Sequence, residues 1–360
     1  MPPNAVVTPP PDDAIGSDRP AQALPDWFTA FLSDRQTRKP SAHTMKAYRQ
    51  DFVTIACLIT AGRPDLMALT EITREKMRHA FATYAATHEA ASIRRCWSTW
   101  NVLCTFLYTA EQLDANPMSF VGRPKLAKTL PKALPRAAVN TLLDAVAQDV
   151  NSKNRTVWAE RDLALILTSL LTGLRAGEMR VLDIGDIRTL DDGGAMVHVK
   201  GKGGKERGIP IEADLLSIIA AYLDSRAVRF PHAVKRTATE GFNGLTRWSA
   251  TAPVFVGRDG QRITRGALQS RVKRAFKLAG PDAQPVPGAL VHGFRHTYAT
   301  ELAGSDVSVY TLMKLLGHES MTTSQRYVTA AGSETRGAAA QNPLYGLLRE
   351  VDRHPAPATT

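Results

Sequence analysis

HGFRHTYATELAGSDVSVYTLMKLLGHESMTTSQRY, residues 292–327, decides the architecture. HGFRHTYATELAG reads as a helix ended by Gly304, and VYTLMKLLGH (309–318) and TSQRYVTA (323–330) continue a mostly helical domain. Working outward, TRGALQSRVKRAFKLAG (264–280) predicts a helix with Thr264 as N-cap and Gly280 as its stop, burying Leu268, Val272 and Phe276. Further upstream, AMVHVK (195–200) and RGIPI (207–211) are short β-type runs, and the glycines of the intervening GKGGKE predict a hairpin with a mobile turn. Residues 162–171 form a strongly apolar helix interrupted at Thr172-Gly173, after which a new helix starts in LRAGEM (174–179). The fold class expected is mainly α with a small antiparallel β-sheet.

A second helical region precedes this one. SAHTMKAYRQDFVTIACLI (41–59) places Met45, Tyr48, Phe52, Ile55, Ala56 and Ile59 on one helix face, with Ser41 as N-cap. ASIRRCWSTWNVLCTFLY (91–108) repeats Ile93, Cys96, Trp97, Trp100, Leu103 and Leu107 at three and four, leaving Arg94 and Arg95 at the flank. Five segments follow: a flexible proline-rich tail (1–25), an all-helical domain (26–116), a basic linker with Pro117, Pro124, Pro131 and Pro135 (117–135), a larger domain opening at LPRAAVNTLLDAV (136–330), and a C-terminal tail (331–360). In that last tail Leu344, Tyr345, Leu347, Leu348 and Val351 have the spacing of a short apolar helix, which could pack on its own domain or on a neighbouring subunit.

The 360 residues carry 45 Lys/Arg against 34 Asp/Glu, a formal charge of +11 concentrated in residues 201–280, where 15 basic side chains face 6 acidic ones. A local basic surface points to a polyanion. Cys57, Cys96 and Cys104 have no CxxC spacing and read as buried free thiols of a reducing compartment. No apolar run approaches the ~20 residues of a membrane span, and no secretion signal is visible, so a cytoplasmic, nucleoid-associated protein is expected.

No single polar residue justifies a catalytic assignment; their order does. Arg175 sits in TGLRAGE, Lys202 in GKGGKER, His292 and Arg295 in HGFRHT, His318 in LLGHES, and Tyr327 nine residues beyond His318. In this the sequence resembles the tyrosine recombinase or phage integrase family, whose catalytic domain carries Arg, Lys, His-x-x-Arg, His/Trp and Tyr in that order, over residues 165–330. SAHTMKAYRQDF and the Asn116-Pro117 pair are similar to the family's SAM-like core-binding domain. The resemblance implies such a domain ahead of a mixed α/β catalytic domain in an Xer-like layout, acting on a double-stranded DNA recombination site as a homotetramer on two sites. It implies a Holliday junction, room for an accessory or directionality factor, and neither metal nor cofactor.

The chemistry of the residues agrees. In-line attack on a phosphodiester builds negative charge on its non-bridging oxygens, which guanidinium groups are shaped to hold, so Arg175 and Arg295 are assigned there. Tyr327 must lose its proton as it attacks, with His292 as the base. Lys202 protonates the departing 5′ oxygen; Lys205, in the same turn, competes for that role, and only the family pattern favours Lys202. His318 would hydrogen-bond the scissile phosphate, and His296 reads as structural. Standing against these are plainer readings: an Arg175–Glu178 helix ion pair, a half-buried Tyr327, half a zinc site at His292 and His296. Gly293 in place of the HExxH glutamate, with Arg295 alongside, rejects the zinc site, and GKGGK lacks the spacing of a nucleotide-binding loop.

Lys46, Arg49, Arg94 and Arg95 in the first domain, with Arg271 and Arg274 in the helix from Thr264, are the expected DNA contacts, against the plainer reading of solvated charged faces. Residues 231–252, with Arg247 and Trp248, read as an insertion of no assigned role. Two other functions share parts of this signature: relaxation by a type IB topoisomerase, and DNA occupancy without catalysis.

Overall fold

A computed structural model describes residues 24–125, 131–150, 158–201, 204–234, 244–305 and 307–331. They cluster into two units, Met1–Lys128 and Thr129–Thr360. Three expectations lie outside the described residues: the tail through residue 23, Lys202, and the apolar segment 344–351.

Among the described residues the first unit has four α-helices: α1 (Asp26–Gln36), α2 (Ala42–Ile59), α3 (Arg74–Ala85) and α4 (Ala90–Thr109). The Ser41 hydroxyl caps α2 by accepting from the Thr44 N–H, as its position before the apolar repeat predicts. Phe28, Phe52 and Trp100, all fully buried, stack in series through the core. Asp51 ties α2 to α4: buried to 1% exposure, its carboxylate accepts from Arg95 at 2.7 Å and Thr99 at 2.8 Å, and its carbonyl accepts from the Trp100 indole at 3.1 Å. Desolvation pushes this carboxyl upward, opposed by Thr99 and Arg95. The cysteines are free, with Cys96 and Cys104 buried as expected, but Cys57, near the end of α2, is only half-buried. Met118 and Val121, from the proline-rich stretch, complete this core.

The second unit is built around α6 (Ala159–Thr172), whose Ala164, Leu165, Ile166 and Leu170 are buried. Against it pack α5 (Arg136–Val150), α8 (Ala213–Arg229), α9 (Arg265–Ala279) and α10 (His292–Gly304). A one-and-a-half-turn helix, α7 (Ala176–Val181), leads into an antiparallel sheet ordered β1 (Ile187–Thr189), β2 (Ala195–Lys200), β3 (Glu206–Ile211). Val197 faces Ile209 and Val199 faces Arg207, so the alternation that buries Val197 and Ile209 also turns Arg207 inward. β1 has three residues, too few to show a period in the sequence. The sequence of the insertion gave no position for Trp248; it is buried, stacked under Arg226 of α8 at 4.0 Å, while Arg247 pairs with Asp224. Two further helices, α11 (Val309–Leu316) and α12 (Met321–Ala331), close the unit with α10. No helix among the described residues is long and apolar enough to cross a membrane.

Candidate active site

Two glycines make the same local move. Gly173 (φ 59°) ends α6 and Gly317 (φ 62°) ends α11, both in the left-handed region that a side chain disfavours. A Cβ on Gly173 would collide with the Tyr298 ring, and one on Gly317 would come within 3.0 Å of Arg207. Each stop leaves helix-terminal carbonyls unpaired, carrying the negative end of the helix dipole. Those carbonyls hold the arginines. Arg295, 1% exposed, donates to the Gly173 carbonyl at 2.7 Å and the Leu316 carbonyl at 2.5 Å, and Arg175 donates to the Gly317 carbonyl at 3.2 Å.

Arg175 itself is the N-cap of α7, and Glu178 three residues on returns to it twice, accepting from its backbone N–H at 2.8 Å and its guanidinium at 2.7 Å. The helix ion pair read from the sequence is therefore real, but it is part of something larger. Arg207 grips the same carboxylate through both terminal nitrogens, at 3.0 and 2.8 Å, and donates its Nε to the Leu315 carbonyl at 2.9 Å. Burial alone would push Glu178 up; the hydrogen bonds from Arg207 and Arg175 overcome it and hold the carboxyl at about 2. Arg295 is lowered to about 10 by burial and by Arg175 beside it, so it remains charged at neutral pH. Sequence reading missed Arg207; its signal was the strand period, which places it in line with Ile209 and Ile211.

On the other side stand the phenol and three imidazoles. Tyr327, 5% exposed on α12, has His318 nearly parallel to its ring at 6.2 Å and His296 tilted at 5.7 Å. His318 Nδ1 is hydrogen-bonded to the Ser324 hydroxyl at 2.8 Å, which leaves Nε2 for a ligand; Ser324 lies three residues before Tyr327 on the same helix face. The Tyr327 hydroxyl meets Nδ1 of His296, not His292, at 2.9 Å. His292 packs edge-on against His296 at 4.5 Å, close enough to Arg295 and Arg175 that burial and these two cations push it downward. Burial and the surrounding positive charges bring His296 and His318 each to about 4, so both are neutral at pH 7. Burial raises Tyr327, while Arg295, Arg326 and Arg175 oppose it.

Lys202 lies outside the described residues. Its neighbour Lys205 reaches Glu319, next to His318, at 3.1 Å, which ties the end of the β2–β3 hairpin to this loop.

The six expected DNA contacts are placed unevenly. Lys46 and Arg49 are exposed on α2. Arg94 donates to the Pro124 carbonyl, and Arg95 serves Asp51. Arg274 grips Asp149 through two bonds of 2.8 and 2.9 Å, and Arg271 and Arg274 flank buried Asp162 at 3.8 and 3.6 Å. These two arginines are half-buried in those ion pairs, and the exposed charges of that helix are Arg265, Lys273 and Lys277.

Comparison with known proteins identifies the same region. Residues 132–334 match the model of the phage integrase family. The chain is 30% identical over 304 residues to the tyrosine recombinase XerC of Myxococcus xanthus, covering 84% of this chain and 92% of that protein. It is 28% identical over 313 residues to XerC of Pelobacter propionicus, covering 85% and 91%. Among solved structures, the fold is similar to the XerH site-specific recombinase bound to its difH substrate after cleavage (TM-score 0.64, 18% identity, 87% of this chain and 84% of that one). It is also similar to a lambda integrase tetramer bound to a Holliday junction (TM-score 0.60, 18% identity, 85% and 77%).

Proposed function

The chain belongs to the phage integrase family of tyrosine recombinases, and from that premise we propose that it breaks and rejoins DNA at specific sites through a covalent 3′-phosphotyrosyl intermediate. The observation that carries this reading is the convergence of Arg175, Arg295, His318 and Tyr327, from four separate segments, around the ends of α6 and α11. Arg295 spends two of its five N–H groups on carbonyls and keeps the rest for a phosphate; Arg175 is held by Glu178 with its side chain 41% exposed. Preorganised cations of this kind stabilise the charge that develops on a phosphorane without reorganising during the reaction.

In this reading Tyr327 attacks the phosphorus, Arg175 and Arg295 bind the non-bridging oxygens, His292 and the free Nε2 of His318 hydrogen-bond the phosphate, and Lys202 protonates the departing 5′ oxygen. The phosphotyrosyl ester conserves the energy of the broken linkage, so a 5′ hydroxyl of another strand can reverse the step without a nucleotide cofactor. The substrate is double-stranded DNA in the cytoplasm, gripped largely through phosphates, with binding that weakens steeply as salt rises. By its likeness to the lambda integrase tetramer, four copies would act together on two sites through a Holliday junction.

A pool of nicked duplexes of random sequence, from which the short fragment bearing the released 5′ hydroxyl diffuses away, will trap a covalent protein–DNA adduct. Tyr327→Phe will lose the adduct and keep DNA retention; equal yield in the variant rejects Tyr327 as nucleophile. Supercoiled DNA carrying two copies of a recovered sequence will give resolved or inverted products, whereas relaxation alone would identify a topoisomerase.

A further inference from the structure

We propose that His296, rather than His292, receives the phenolic proton of Tyr327 during strand cleavage, an inference that rests on the recombinase reading above. The 2.9 Å contact between Nδ1 and the Tyr327 hydroxyl lies within the reach of a general base. His292 sits one turn earlier on α10 with its ring edge-on to His296 at 4.5 Å, on the side of Arg175 and Arg295. One helix therefore presents two imidazoles with different partners: His292 toward the phosphate-binding arginines, His296 toward the nucleophile.

The charges around His296 suit a base that works only when substrate is present. Facing it are His292 and Arg295 on α10, Arg326 and Tyr327 on α12, and Lys132 ahead of α5. Burial and these positive groups keep the imidazole neutral, with a lone pair on Nδ1 in the tautomer that carries its proton on Nε2. Burial likewise holds the proton on Tyr327. A phosphodiester entering between the arginines brings a negative charge that offsets those cations and stabilises the imidazolium as it forms.

The step balances without a further reactant. The phenol O–H bond breaks and the proton goes to Nδ1; the bond from the phenolic oxygen to phosphorus forms; the bond from phosphorus to the 5′ oxygen breaks; and that oxygen takes its proton from Lys202. In rejoining, the His296 imidazolium returns a proton to the departing phenolate.

The test uses full-length protein and a nicked duplex recovered from the random pool by its wild-type adduct. His296→Asn and His296→Gln, which can accept a hydrogen bond but cannot carry the proton, are expected to slow adduct formation by about 10²-fold, with duplex retention unchanged. A fluorotyrosine of lower pKa at position 327 separates proton transfer from a structural defect: it should shrink the His296→Gln deficit at least several-fold, because a more acidic phenol needs less help. A full rate in both variants, or a deficit that the fluorotyrosine leaves untouched, overturns the proposal. So does a faster rate, which would make the contact a resting latch. Failure of the wild-type protein to form any adduct would instead overturn the recombinase reading itself. Loss of the perturbed His296 ring-nitrogen NMR signal in Tyr327→Phe checks the hydrogen bond without DNA.

Discussion

The two halves of the active site rest on unequal foundations. The arginine cradle is anchored in the main core of the second unit: Arg175 follows α6, Arg207 lies on the inward face of β3, and Glu178 locks the two together. The tyrosine half rests, among the described residues, on a satellite cluster of Ala299, Ala303, Leu312, Leu316, Tyr327 and Val328. Arg295 joins them through a carbonyl from each side, and Arg175 and Arg207 add bonds to the Gly317 and Leu315 carbonyls at the end of α11. Charge stabilisation benefits from rigidity, because donors fixed before the reaction need not reorganise. A nucleophile must approach, bond, and later leave, a motion that a cluster of few packed side chains opposes less than a large core does.

The joint is the most sensitive point. Arg295→Lys cannot span both carbonyls and still face a phosphate, so the adduct rate should fall by about 10²–10³-fold while duplex retention persists. A rate within threefold of wild type would break the comparison at its hinge. Next, Leu312→Ala and Leu165→Ala both remove a buried leucine, each at about 3 kcal/mol. If the halves differ as described, Leu165→Ala lowers the main thermal transition, whereas Leu312→Ala slows adduct formation and leaves that transition nearly in place; matching behaviour would show one cooperative core.

The cradle also has a pH signature. Glu178 is held at about 2, below the 4.5 of a free carboxyl, so its stabilisation is complete above 4.5 and is lost as pH falls through 2. Its full size is about 3 kcal/mol. Denaturant titrations should show wild type and Glu178→Gln converging in that window; a gap that stays constant would remove the carboxylate from the lock. The smallest effect is expected at the exposed Lys205–Glu319 pair, where Glu319→Ala should change stability by less than about 0.5 kcal/mol.

What the sequence made legible was local. Ser41 and Thr264 cap the helices they precede, Gly173 ends α6, and Leu268, Val272 and Phe276 are buried as their spacing predicts. Gly304 is a small exception: α10 includes it and ends through Ser305. The illegible part was pairing at long range. Nothing near Arg207 announces Glu178, and nothing near Arg274 announces Asp149, 125 residues away, with which this residue of a charged helix face forms an ion pair. Trp248 likewise showed no period, because its partner Arg226 belongs to a different element.

By itself the amino-acid sequence determined the family, the order of Arg175, His292, Arg295, His318 and Tyr327, and the glycine stop that ends α6 beside them; the stop at Gly317 came from the structure. Caps, stops and helical periods are set within a few residues, where backbone sterics and short-range hydrogen bonds decide. Only the tertiary structure decided which imidazole meets the phenol and which carbonyls hold Arg295. His292 and His296 are one turn apart on the same helix, and choosing between them requires the position of α12, which packing fixes and spacing cannot.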